Sequence, residues 1–267
     1  MSEKKHVSAD NGWTCGLSNM LRKENGIWIG THKWIVQSII WSIAITGSVT
    51  FVMYLITTLP AAVQPEVINS YGMGAAALQF FFNISGFVSV IGVIILTHDM
   101  IISERESGTA EWVLSKPLSR KAFVISKLVT AIVWITAIIV ILQGVLLLIV
   151  ARLFGGAVDI VPFIKGLSLI WLICVFYITM VIFLGTLTTS RGAVFGISFF
   201  FFLLGSLVPL LFPKSYYLMP WKLSDIAFSV AMSISWSPKV VLPIILTVIW
   251  SGLFIAGSLW RIERIEI

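Results

Sequence analysis

Residues 128–150 read LVTAIVWITAIIVILQGVLLLIV, from Leu128 to Val150, 23 positions without one Asp, Glu, Lys, Arg or His. A helix needs about 20 apolar residues to cross the hydrocarbon core of a bilayer, about 30 Å thick. This run meets that need, and an α-helix satisfies all its backbone hydrogen bonds within one segment, as lipid demands. Five more runs of the same kind surround it, at roughly 35–58, 78–97, 166–189, 193–212 and 239–260. Lys239, at the very edge of the last run, is the one charge among them. The residue-by-residue alternation of a membrane β-barrel strand is missing. The sequence thus predicts an all-α, polytopic membrane protein. Its six transmembrane helices fill 35–260, between a segment 1–34 and a short tail 261–267.

Composition points the same way. Of 267 residues 58% are hydrophobic and 11% charged, whereas a soluble domain is about 45–50% apolar and about 25% charged. So little charge cannot cover a water-facing surface, which excludes a soluble enzyme and a disordered chain. The net charge of +6, from 18 Lys and Arg against 12 Asp and Glu, is better explained by basic cytoplasmic loops than by nucleic acid. Six crossings put both termini on one side. With that side cytoplasmic, 13 basic residues lie inside and five outside: Arg152, Lys165, Lys214, Lys222 and Lys239. The expected location is the inner (plasma) membrane, multi-pass, with both termini in the cytoplasm. Trp28, Trp34 and Trp260 then mark the inner interface and Trp171, Trp221 and Trp236 the outer one, where ring anchoring is their ordinary role. Cys15 and Cys174 are read as free thiols, not a disulfide framework. The first 33 residues hold no continuous apolar stretch of the kind a secretory signal needs.

Ahead of the first run, Leu17, Met20, Leu21, Trp28 and Ile35 recur at helical spacing, with Arg22, Lys23 and Lys33 off that stripe. Leu17–Lys33 therefore reads as an amphipathic elbow helix lying in the inner interface. The fourth and fifth runs are joined by little beyond Ser190, Arg191 and Gly192. The outer loop 213–238 is longer and apolar. Within it, 224–236 reads as a short helix capped by Ser224, and its composition leaves open whether that helix re-enters the membrane.

The segment 98–127 between the second and third runs is the most informative. It holds 5 of the 18 basic and 4 of the 12 acidic residues. Mixed charge at this density suits a protein contact better than a lipid-binding patch, which would be nearly all basic. Ser103 and Glu106 have capping-box spacing, Gly108 permits a sharp bend, and Thr109 can cap a short helix carrying Trp112 and Leu114. Pro117 ends that helix, and Ser119 caps the helix that becomes the third span. The segment is then a short helix across the ends of two spans and continuous with both, so that a push on it enters the membrane. The plainer alternative is a solvated connector that reverses the chain.

The run Glu104-Arg105-Glu106-x-Gly108-Thr109-x-Glu111-x-x-Leu114-Ser115-x-Pro117-x-Ser119-Arg120 closely resembles the signature loop of the ABC type-2 transporter permease family in its six-span form. The span count, the place of the loop, the elbow and the bare C-terminus extend the resemblance over nearly the whole chain. Trp112 and Val113 stand where two leucine-like residues are expected, a departure that keeps the contact apolar. The resemblance implies that the loop is a coupling helix docking on a separate ATPase subunit through Glu104, Arg105, Gly108, Thr109, Glu111 and Trp112, with Arg191 as a second, smaller contact. It further implies two ATPase copies, a second permease subunit (identical or related), and alternating access that drives export. ATP and Mg would be held by the partner and no cofactor by this chain.

The residues themselves agree with a division of labour. A phosphate-cradling P-loop needs a Gly-Lys pair, and the chain contains none, so ATP-driven work requires a partner. No His lies in any run, which leaves an intramembrane protease without a base and an intramembrane metal without ligands. Intramembrane carboxylates, the usual mark of ion coupling, are also missing. Polar stripes remain: Ser38, Ser42, Thr46, Thr50 and Tyr54 in the first run, and Gln79, Asn83 and Gly86 in the second. Helix packing explains them first. The sharper reading takes Ser42, Thr46, Gln79 and Asn83 as a translocation path. Spans without fixed charge lean toward an amphipathic or lipid-like cargo. Two other classes stay open: a membrane anchor or regulatory subunit that transports nothing, and an ion-coupled carrier or channel acting alone.

Overall fold

A computed structural model describes residues 16–60, 65–106, 119–212, 220–233 and 241–264. Among these the chain is all-helical. Helix α1 is Leu17–Gly30 and α2 is Lys33–Thr58, the latter interrupted by a π-helical turn at Ile43–Gly47. Helix α3, Glu66–Thr97, leads through a turn into the short α4, Ile102–Glu106. Helix α5 is Arg120–Leu153, with a second π-helical turn at Thr136–Ile141. Then come α6 at Ile160–Leu187, α7 at Arg191–Leu211, α8 at Leu223–Ala231 and α9 at Val241–Ile262.

Five of these stretches are long and apolar enough to cross a membrane: Lys33–Thr58, Glu66–Glu106, Arg120–Leu153, Ile160–Leu187 and Val241–Ile262. They match five of the six expected runs. The remaining run, 193–212, is helical as α7, Arg191–Leu211. The second helix starts well before its apolar run. It is bent at Gly72, whose φ of 81° suits a residue without Cβ, so Glu66–Tyr71 forms a separate first turn before the long straight section.

Helix α6 is the central rod: 61% of its most apolar stretch is buried, against 22% for the peripheral α9. It packs on α3, α5, α7, α8 and α9. Phe163, Ile170, Tyr177 and Val181 of α6 meet Phe81, Phe82 and Val90 of α3 within one continuous apolar core. Large apolar residues such as Phe51, Phe200, Ile249 and Leu253 are exposed on the outer faces, the expected arrangement when lipid is the solvent.

Two sequence expectations about caps do not hold. Ser103 lies inside α4, its amide donating to the Asp99 carbonyl at 2.9 Å, so it caps nothing. Ser224 also lies inside its helix, which starts one residue earlier and ends at Ala231. Its hydroxyl donates to the Trp221 carbonyl at 3.3 Å, because the preceding 3-10 turn Pro220–Lys222 already winds the chain into the helix. Ser119 does cap α5, accepting from the Ala122 amide at 3.0 Å. The segment expected to be an elbow is helical as α1, and its buried positions are Met20, Glu24 and Trp28, so the covered stripe contains a carboxylate at its centre. Ile35, assigned to that stripe, belongs instead to α2.

Helix α8 is seated by its small and apolar face, Leu223, Ile226, Ala227, Val230 and Ala231, against α6 and α3. The approach is close enough that a Cβ on Gly166 would sit 2.6 Å from the Ala227 carbonyl oxygen. Gly166→Ala should therefore lower stability by about 1–3 kcal/mol, since backbone cannot yield as a side chain does. Gly26→Ala, at a mid-helix site in α1 with nothing within 4 Å, should raise it by about 0.5–1 kcal/mol. Apparent melting of the detergent-solubilised protein checks both signs.

Candidate functional site

The motif 104–120 begins in α4 and ends at the first residue of α5. Lys127 of α5 is 2% exposed, and its ammonium lies 3.0 Å from the Glu24 carboxylate of α1 and 2.9 Å from that of Glu104 of α4. Glu104 is also paired with Lys23 at 3.0 Å. Two cations and two anions thus alternate, Lys23–Glu104–Lys127–Glu24, and their formal charges cancel. A buried ion is costly unless paired and hydrogen-bonded; here three separate helices each supply a member. Beside this cluster Trp28 stacks on Trp134 with ring centres 5.3 Å apart, and Trp134 Nε1 donates to Asn25 at 3.0 Å. Trp28 is 4% exposed, so its expected role as an interfacial anchor gives way to an internal one. Trp34 and Trp260 do remain exposed.

The rest of α4 faces the turn between α6 and α7. Arg105 donates to the Thr188 carbonyl at 3.2 Å, and Glu106 pairs with Arg191. On the return side, Lys121 pairs with Glu263 at 2.9 Å and Arg120 donates to the Glu263 carbonyl at 3.2 Å. These outer pairs are half exposed and individually weak, but they tie the end of α9 to the start of α5. Both stems of the loop are therefore fixed to the bundle, one through α1, α5 and the α6–α7 turn, the other through the end of α9.

Of the residues expected to contact an ATPase, Glu104 turns inward to the two lysines, Arg105 and Arg191 sit side by side around Glu106 and Thr188, and Gly108, Thr109, Glu111 and Trp112 lie outside the described residues. Sequence reasoning missed Glu24, Lys23 and Lys127 as partners. The available signal was Glu24 itself, the one acid within the apolar stripe of the elbow.

The four residues of the expected path do not come together. Ser42 and Thr46 of α2 join Gln143 of α5. The Thr46 hydroxyl donates to Gln143 Oε1 at 2.8 Å, and Gln143 Nε2 donates to Ser42 Oγ at 3.1 Å and the Ile138 carbonyl at 3.0 Å. Gln143 is fully buried. It follows the π-helical turn of α5, and Thr46 lies inside that of α2, so a side-chain amide braces two locally widened helices. This is packing between helices, the first of the two sequence readings. Gln79 is half-buried on α3.

Asn83 lies elsewhere. It lines an open cavity of about 350 Å³ between α3, α6, α7 and the start of α8, with Phe87, Tyr177, Phe202, Trp221 and Asp225 among its walls. Trp221 Nε1 donates to the Tyr177 hydroxyl at 3.2 Å, which holds the indole over Gly205, where a Cβ would meet it at 2.5 Å. Asp225 pairs with Lys222 at 3.0 Å. Cys174, near the cavity on α6, is buried and unbonded to sulfur.

Removing the charge of Lys127 takes the ammonium from the buried Glu24 carboxylate and one of two ammonium partners from Glu104. Lys127→Met should cost about 3–5 kcal/mol, the usual penalty for breaking a buried pair from one side. Lys23→Met, at a side chain 36% exposed, should cost less than about 1 kcal/mol. Thermal melting in detergent checks the contrast, and equal small losses would mean that water fills the cluster.

No curated protein matches the chain. A family model described as protein of unknown function (DUF2705) matches residues 34–267, which is α2 and everything after it. The chain therefore belongs to the DUF2705 family.

Proposed function

We propose that this protein is the membrane-spanning permease subunit of an ATP-driven ABC transporter, acting as an exporter, with ATP and Mg bound by separate ATPase subunits. The observation that carries the reading is the 17-position motif Glu104–Arg120 on a loop whose two stems are pinned to the bundle. A loop held in that way behaves as a lever. Force applied to residues 107–118 passes through α4 into α3, through Lys127 into α5, and through Glu24 into α1. In this reading α7 completes six crossings, which places both termini and the loop in the cytoplasm with the 13-to-5 bias of basic residues. Two permease subunits, identical or related, would pair with two ATPase subunits. The chain's lack of any Gly-Lys pair supports assigning hydrolysis to the partner.

The decisive experiment is affinity purification of the full chain from its native membrane, followed by reconstitution. The expected result is a co-purifying ATPase and nucleotide-dependent transport into sealed vesicles. A chain that purifies without an ATPase, or moves solute down an ion gradient alone, would overturn the proposal. Within such a complex Glu111→Lys should keep most ATPase activity yet cut transport by about tenfold or more, because a wrong-sign charge at a protein contact costs on the order of 1–2 kcal/mol. Wild-type coupling would remove Glu111 from the contact. For orientation, Ser115→Cys in a chain lacking Cys15 and Cys174 should react with a membrane-impermeant maleimide only after the vesicle interior is opened, when right-side-out vesicles are used.

A further inference from the structure

The cavity at Asn83 has a depth that three helices fix independently. Asn83 is 14 residues from the loop end of α3 at Thr97, Gly205 is 14 from that of α7 at Arg191, and Ile173 is 14 from that of α6 at Leu187. At 1.5 Å per residue each lies about 21 Å from the loop end. The cavity therefore lies in the middle part of helices long enough to cross a core about 30 Å thick.

Its polar groups are incompletely used. Among the described residues no group hydrogen-bonds the Asn83 carboxamide. The Tyr177 hydroxyl, on a residue 1% exposed, accepts from Trp221 while its own hydrogen has no acceptor among the described residues. Unsatisfied amides and hydroxyls are costly where lipid is the solvent, so whatever fills this space must present hydrogen-bonding atoms to them. Phe87, Phe202 and the Trp221 face supply apolar wall on the other sides, and water alone would leave that wall without dispersion partners. Among the described lining residues Asp225 is the one acid, and its formal charge is matched by Lys222 at 3.0 Å.

We propose that this cavity is a binding site for a neutral amphiphile: an uncharged head that offers an acceptor to Tyr177 and both an acceptor and a donor to Asn83, with an apolar chain or ring lying along Phe87, Phe202 and Trp221. The volume of about 350 Å³ lies within the ordinary range of small-molecule sites. The inference does not rest on the transport reading, since binding by this chain alone establishes it.

The test uses the full chain in phosphatidylcholine nanodiscs and a monoacylglycerol carrying a photoreactive diazirine on its acyl chain. After irradiation, mass spectrometry should locate saturable labelling in 83–90 and 220–225, displaced by unmodified monoacylglycerol. Tyr177→Phe, which keeps the ring but removes the hydroxyl that also accepts from Trp221, should weaken binding about fivefold or more, the worth of at least one hydrogen bond. Asn83→Phe, which fills an exposed position on the cavity wall, should abolish the labelling while the protein stays monodisperse. The same chain ending in a carboxylate or a trimethylammonium should bind at least about tenfold more weakly, because Asp225 and Lys222 already pair with each other and a further fixed charge must be desolvated. Labelling that does not saturate and spreads over the lipid-facing surfaces would overturn the proposal. So would binding unchanged in both variants, or a preference for either charged probe.

Discussion

One ammonium group governs the loop end of this bundle. Lys127 is 2% exposed among the helices, and it is tolerated because carboxylates from two other elements approach within 3.0 Å. The attraction is strong only where solvent is excluded, and solvent is excluded only while α1, α4 and α5 stay packed. Packing and charge pairing therefore depend on each other. Lose the register of α1 by one residue and Glu24 leaves the site; shift α4 and Glu104 leaves with it. The cluster contributes less by its net energy than by permitting a single arrangement of three elements around the loop.

The second determinant is how polar atoms are handled at lipid depth. Gln143 satisfies both ends of its amide with Ser42, Thr46 and a carbonyl of its own helix. That site is closed and serves packing. The cavity beside Asn83 has comparable polar atoms with fewer partners and more space. The two polar sites thus divide into a closed brace and an open cavity, and hydrogen-bond accounting is what separates them.

Family membership and the loop motif bear on different parts of the chain. The match over residues 34–267 covers α2 to the C-terminal residue, while α1, which supplies Glu24 and Lys23 to the cluster, lies ahead of it. The elbow is nonetheless joined to the loop stem by two ion pairs. In the proposed transporter, α1 is therefore part of the moving assembly rather than a passive tether.

Much was legible in the sequence because lipid is an exacting solvent. Long uncharged runs fixed the helical class and five helices long and apolar enough to cross a membrane, and local spacing fixed the Ser119 cap, since each depends only on local composition or on contacts within four residues. What stayed hidden depends on which helix faces which. Nothing along the chain shows that Lys127 meets Glu24, 103 residues away, or that Thr46 meets Gln143, 97 away. Ser103 and Ser224 looked like caps because their spacing was right, yet preceding turns had already begun each helix. Apolar runs determine that rods exist and how long they are. Only their packing decides which faces are covered, because an apolar residue is equally at home against lipid and against protein, whereas a buried charge or amide has one acceptable neighbour.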